Sequence, residues 1–317
     1  LQGPHITVAT PLFKQPNETM RNRLDTELIN LETISDSFIP RTSYQLAKPY
    51  KEYISGYPKW FGQPASDFYR VAWRAMGEPA NVRTLHSALI PPGPAHIHGI
   101  FSMTTDNLSE LVRVAGVTSS IVCDFLIKVS GVANLNIGVM RKLPLPPANR
   151  LDPYLTLRTL RLNCLVRPFA ALWNEMYDEE WRGDAWVPHI GVDFAERGAL
   201  EGVGSSWDWS TPLRRDADRR QALIEVDAIV AIMLGITAEE LLTIYRTQFP
   251  VLQKYERDAL YDASGRQLPG KLASEYRKGK AKPADFRVDG VTYIEPFVGV
   301  DRERDMELAH KHFSDRA

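Results

Sequence analysis

Residues able to do acid–base, metal or nucleophilic chemistry occur in this sequence, but mostly without the spacing such chemistry needs. Asp178, Glu179, Glu180 and Asp184 form its densest acidic cluster. A metal-dependent nuclease gathers carboxylates around the ion, often with a lysine beside them. Here the acids fall at an expected helix end with no lysine among them, so a solvated charged end is the favoured reading. His96 and His98 alternate on an expected strand and would share one face. With no third ligand at zinc spacing, a surface or nucleic-acid-contacting pair is expected. Asp152-Pro153-Tyr154 lacks the second proline of the Asn/Asp-Pro-Pro-Tyr/Phe motif that holds an extruded adenine, and it opens an expected helix. No GxxxxGK[ST] loop is present, which excludes a P-loop ATPase.

A different pattern carries more weight. Tyr69, Arg70, Trp73 and Arg74 interleave aromatic and basic side chains, and Asn81 and Arg83 follow. On a strand, such alternation can send aromatics into a core and arginines towards phosphates or base edges. Arginine pairs with guanine and asparagine with adenine. Equally, these arginines could simply solvate an edge strand. Charge adds a weak hint: residues 41–150 hold twelve Lys and Arg against six Asp and Glu, although the whole chain carries −1. A basic module beside an acidic one fits a polyanion-binding face joined to a part that faces something else.

The elements that must position these residues follow from hydrophobic period. The chain has 317 residues, 44% hydrophobic and 24% charged, enough for one large domain or two modest ones. Prolines interrupt residues 1–60, leaving a short strand near Thr7 and a helical turn near Tyr50 as expectations. Strands are expected over 68–74, 83–90 and 97–103, the second stopped by Pro91-Pro92-Gly93. One long helix is expected from Asn107 or Ser109 to about Val129, then a short strand over 135–140. Residues 151–182 read as helical, bent at Pro168, and 181–212 as a loop rich in Trp, Gly and Asp. Further helices are expected over 216–234, after Thr237 with its capping-box spacing to Glu240, and over 302–313. The fold class is therefore α+β: a small mixed sheet with helices, followed by a mainly α-helical region. Cys123 and Cys164 sit in apolar helical patterns and are expected to be buried reduced thiols. With no signal peptide and no membrane-length apolar run, a cytoplasmic location is expected. The chain opens on Leu1, as a fragment or a processed chain would.

Several blocks resemble one family. Residues 81–93, NVRTLHSALIPPG, resemble the N-x-R-T-L-x-x-A-L-I-P-P-G segment that follows the catalytic domain of type IIG adenine methyltransferases. That group includes restriction-modification enzymes and the methylases of phage-defence islands. Residues 69–74, YRVAWR, are similar to the family's Y-R-x-x-W-R strand. Residues 134–146, NLNIGVMRKLPLP, resemble the N-x-N…L-P-x-P close of a target-recognition domain. Shorter blocks at 1–5, 14–17, 160–165 and 244–250 extend the likeness over nearly the whole length.

The resemblance implies a lead-in segment (1–40), a target-recognition domain (41–150) and a mainly helical C-terminal region (151–317). It implies double-stranded DNA as partner. Within the module, Arg70, Arg74 and Asn81 are expected as base readers and Arg83, Arg141 and Lys142 as backbone contacts. Lys48, Lys51 and Lys59 are further candidates, since readers in such folds often lie on variable loops; Asn134 and Asn136 are read as turn residues. The family's methyl-transfer motifs, including the Gly-rich S-adenosylmethionine turn, are missing here. No cofactor is expected in this chain; S-adenosylmethionine is expected in an N-terminal methyltransferase domain or subunit. Two rivals stand beside this reading. One is a scaffold of a defence complex that binds protein through the acidic helical part and shows a large apolar patch. The other is a cryptic nuclease using Asp178 to Asp184 with Asp208 and Asp216.

Overall fold

The computed structural model describes residues 1–22, 24–187, 200 and 202–317. A mixed α/β region with small antiparallel sheets comes first, and a largely α-helical region follows. The lead-in carries the hairpin β1 (Lys14–Pro16) and β2 (Thr26–Leu28). Next come helix α1 (Tyr50–Ser55) and a second hairpin, β3 (Lys59–Trp60) and β4 (Gln63–Pro64). The main sheet has β5 (Arg70–Arg74) between β6 (Ser87–Ile90) and β7 (Ile100–Met103), all antiparallel. The expected mixed sheet is thus antiparallel, and the expected strand near Thr7 is a single bridge to Thr10.

Both faces of this sheet are covered, so its strands read as near-continuous apolar runs. Ala72, Ala88, Ile90 and Ile100 pack under Ile6 of the lead-in. Val71 and Leu89 pack on the other side against Leu111, Val112 and Ala115 of helix α2 (Leu108–Ser119). The edge of β6 is closed as well: Asn163 Oδ1 accepts from Leu89 N at 2.9 Å, and Ala9 N donates to Ser87 O at 2.8 Å. A paired edge cannot template another strand.

The single helix expected over 107–129 is two helices, α2 and α3 (Ile121–Ser130). Ser120 separates them: its backbone is extended and its hydroxyl accepts from Cys123 N as the cap of α3. Ile121 N then donates to Asp227 Oδ1 at 2.7 Å, a partner only the tertiary fold supplies. The strand expected over 135–140 is instead the helical turn α4 (Ile137–Met140), capped by Asn136, with one bridge from Asn134 to Met76. A good cap outweighed a weak apolar alternation.

The run 151–182 breaks into α5 (Asp152–Asn163) and α6 (Ala170–Met176), joined by a tight turn containing Pro168. Of the loop 181–212, residues 188–199 and 201 lie outside the described residues. Beyond it, α7 (Asp216–Met233) is the hub, packed on α2, α3 and α5. It also packs on α8 (Ala238–Gln248), whose Thr237–Glu240 capping box forms as expected. Then follow α9 (Pro250–Asp258), α10 (Gly270–Arg277), the hairpin β8 (Arg287–Val288) and β9 (Val291–Thr292), and α11 (Arg302–Ser314), laid along α7. At the crossing of α2 and α5, a Cβ on Gly116 would lie 2.5 Å from Thr159 Oγ1. Glycine is what lets these helices approach so closely. Leu111 and Val112 share one core with Leu157, Leu160, Cys164 and Phe169, so packing runs without a gap across residue 150. Cys123 and Cys164 are free and buried. No helix among the described residues is long and apolar enough to cross a membrane.

Candidate nucleic-acid interface

Between residues 41 and 64 no side chain is buried, and this arm carries the three candidate lysines. Lys48, Lys51 and Lys59 are all exposed. Lys48, just before α1, reaches Glu52 in its first turn at 2.7 Å; Lys51 and Lys59 have no ion-pair partner among the described residues. Aromatic rings line the arm between them. Tyr53 and Tyr57 lie 5.6 Å apart, and Trp60 and Phe61 pack on Phe68 at 6.4 and 5.8 Å. Trp60 pairs with Gln63, so Phe61 and Gly62 form a two-residue hairpin loop, and both have positive φ, 48° and 81°. Glycine takes that conformation freely; phenylalanine takes it at a cost. The price leaves the Phe61 ring 69% exposed at the tip.

The arm leans over the sheet and borders an open cleft of about 520 Å³, lined by Lys48, Glu52, Tyr53, Tyr57, Trp60, His96 and Ser102 among others. His96 closes its inner side. Its Nδ1 lies 3.2 Å from Ile97 O, a group that can only accept, so Nδ1 carries the proton. Nε2 then accepts from the Ser102 hydroxyl at 2.8 Å. Burial, and the charge of nearby Arg70, push the His96 pKa down, which keeps the ring neutral.

The remaining candidates divide by exposure. Arg70, expected to read bases, is fully buried, donating to Phe68 O at 3.3 Å and Pro94 O at 2.5 Å. Arg83, expected on the backbone, is buried in an ion pair with Asp124 and donates to Ser119 O at 2.8 Å. Arg74 is half-buried, its Nε donates to Ile6 O at 2.7 Å, and burial lowers its pKa to about 10. In this fold their guanidinium groups hold loops together and do not project from an edge strand. Asn81, Arg141 and Lys142 are exposed. The loops bearing them are zipped by Gly77 N to Ala133 O and Leu135 N to Ala75 O, both 2.8 Å. They lie off the end of β5 opposite to the arm, one short strand away.

The other acids and histidines also have structural employment. Asp184 is buried against Arg158 at 2.6 Å, not solvated. Asp208 accepts from Ser210 and Thr211, and Asp216 accepts from Gln267 N at 2.9 Å, so the acids of the nuclease reading serve separate loops. Among the described residues, no group of three or more His, Cys, Asp and Glu is placed to hold a metal ion. His96 and His98 precede β7 in a turn; His98 meets Phe101 edge-on at 5.9 Å and plays no part with His96. Tyr53, Tyr57, Trp60 and Phe61 were not singled out from sequence. Their signal was the same basic-aromatic interleave, here running with Lys48, Lys51 and Lys59.

No protein-family model, no curated protein and no solved structure matches this chain significantly.

Proposed function

We propose that this chain is the DNA-recognition region of an adenine-N6 DNA methyltransferase of a restriction-modification or phage-defence system. The observation that carries the reading is the unburied arm with Lys48, Lys51 and Lys59 set among aromatic rings around a cleft. Lysines neutralise phosphates and release counterions, and aromatic faces stack on bases. Asn81, Arg141 and Lys142, exposed off the far end of β5, form a second DNA-facing set. The family resemblance of the blocks at 69–74, 81–93 and 134–146 supplies the rest of the reading. The partner catalytic domain binds S-adenosylmethionine, extrudes the target adenine and methylates its amino group; this chain selects the site.

Titration with random-sequence duplex DNA across a salt series tests the reading. Affinity should fall steeply with salt, and Lys48→Ala/Lys51→Ala/Lys59→Ala should flatten the slope by about 0.9 for each phosphate no longer neutralised. Absence of binding at low salt would overturn it in favour of a scaffold.

A further inference from the structure

The cleft under the arm has a chemistry that binding of an intact duplex does not use. Its walls are the rings of Tyr53, Tyr57 and Trp60, its rim carries the Lys48–Glu52 ion pair, and its inner side presents His96 and Ser102. Aromatic walls with a few polar groups at the back suit a planar heterocycle. The volume, about 520 Å³, is ample for one nucleotide base.

One further observation points the same way, and it is Phe61. A large ring held exposed on a left-handed backbone, next to the cleft-lining Trp60, is a costly placement that the core does not require.

We infer that the arm captures one unstacked nucleotide: Phe61 wedges into the base stack, and the displaced base enters the cleft between Tyr57 and Trp60. Apolar wedges of this kind separate base steps at the cost of a little stacking energy. The inference rests on the DNA-binding reading above. The pocket is one of recognition, separate from the site of methyl transfer, which that reading places on another domain.

The test compares a fully paired duplex with one carrying a single bulged 2-aminopurine, both titrated against the full chain. The bulged duplex, already unpaired at one base, should bind about ten-fold tighter or more, the equivalent of one stacked base. Its 2-aminopurine emission should be quenched on binding as the base stacks on Trp60. Phe61→Gly removes the ring and relieves the left-handed backbone, so the hairpin keeps its fold, checked by circular dichroism. This variant and Trp60→Ala should each erase most of the preference. Equal affinity for the two duplexes, with normal salt dependence, would overturn the capture and leave the DNA-binding reading standing. No affinity for either duplex at low salt would overturn both. Displacement of the bulged duplex by free deoxyadenosine monophosphate at similar concentration would make the cleft a free-nucleotide site, and would also overturn the proposal.

Discussion

Arginines do different work in two regions of this molecule. Where α7 meets α5, α9 and α11 they sit in closed networks with carboxylates. Arg158 bridges Asp184 and Glu225, Arg220 bridges Glu256 and Asp305, and Arg302 bridges Asp227 and Glu256, all buried. Where irregular segments wrap the sheet and the start of α7, arginines clamp backbone carbonyls instead, Arg83 with its Asp124 partner being the exception. Arg214 donates to the carbonyls of Trp209, Leu31 and Leu165, and Arg219 to those of Leu162, Leu213 and Ala9. Arg70 and Arg74 belong to this second kind. The planar five-donor guanidinium suits both tasks, whereas lysine suits neither, and no lysine among the described residues is buried. Helices satisfy their own carbonyls, so a helical core must balance arginine with acid. Irregular segments leave carbonyls open, and arginine can bind those without a counter-ion.

The largest effect should come from breaking a closed network. Arg158→Met leaves Asp184 and Glu225 facing each other in the interior, where Arg158 is fully buried. Removing one partner of a buried pair costs about 3–5 kcal/mol. Denaturant unfolding should show that loss, and adding Glu225→Gln should recover part of it, because one of the stranded charges is gone. No recovery would mean that packing against Phe313, 4.9 Å away, dominates.

Acid should separate the two regions next. His5 is buried and its pKa is lowered to about 4, mainly by burial; that of His86 is lowered to about 3, by burial and by Arg74 and Arg83. Gln2 N donates to His5 Nδ1 and His5 Nε2 donates to Arg41 O, an arrangement only the neutral ring can make. Between about pH 6.5 and 4 the unfolded chain binds a proton at His5 that the folded chain refuses. Stability is therefore full above pH 6.5 and falls as pH drops through that window. At about 1.4 kcal/mol per unit, His5 alone contributes about 3 kcal/mol of acid sensitivity. Glu256 behaves as a depressed carboxylate, its stabilisation lost only as pH falls below its ordinary value. Loosening of the lead-in should thus precede that of the helices, and His5→Gln should flatten the profile above pH 4.

Carbonyl clamps should matter less. Arg214→Met strands three carbonyls, but water reaches their neighbourhood through the cleft of about 560 Å³ beside them. A loss of about 2 kcal/mol is expected in denaturant unfolding, below that of Arg158→Met. A larger loss would remove the distinction between the two kinds of arginine.

That distinction also explains what could be read from sequence. The three sheet strands, the hub helix α7 and the capping box at Thr237 were legible because period and caps are local signals. The break at Ser120 was not, since Ile121 N finds its acceptor on Asp227, 106 residues away. Nor was the burial of Arg70 and Arg83, whose partners are Pro94 O and Asp124. An arginine on a strand has the same sequence whether it meets a phosphate or a folded-back carbonyl. The lysines escaped that ambiguity because an ammonium is costly to desolvate and rarely goes inside unpaired.

The smallest effect on stability is expected where the effect on binding is greatest. Lys51 and Lys59 are exposed, and the Lys48–Glu52 pair is an exposed surface pair, worth about 0–1 kcal/mol. Lys48→Ala/Lys51→Ala/Lys59→Ala should therefore unfold within about 1 kcal/mol of the parent chain. If these lysines hold phosphates, the same variant should lose most of the salt dependence of duplex binding. A matched variant at the other end of β5, Arg141→Ala/Lys142→Ala, ranks the two patches. Equal losses would mean that the duplex spans both ends of the sheet. A loss confined to the arm would make the arm the interface and leave Arg141 and Lys142 as ordinary surface charge.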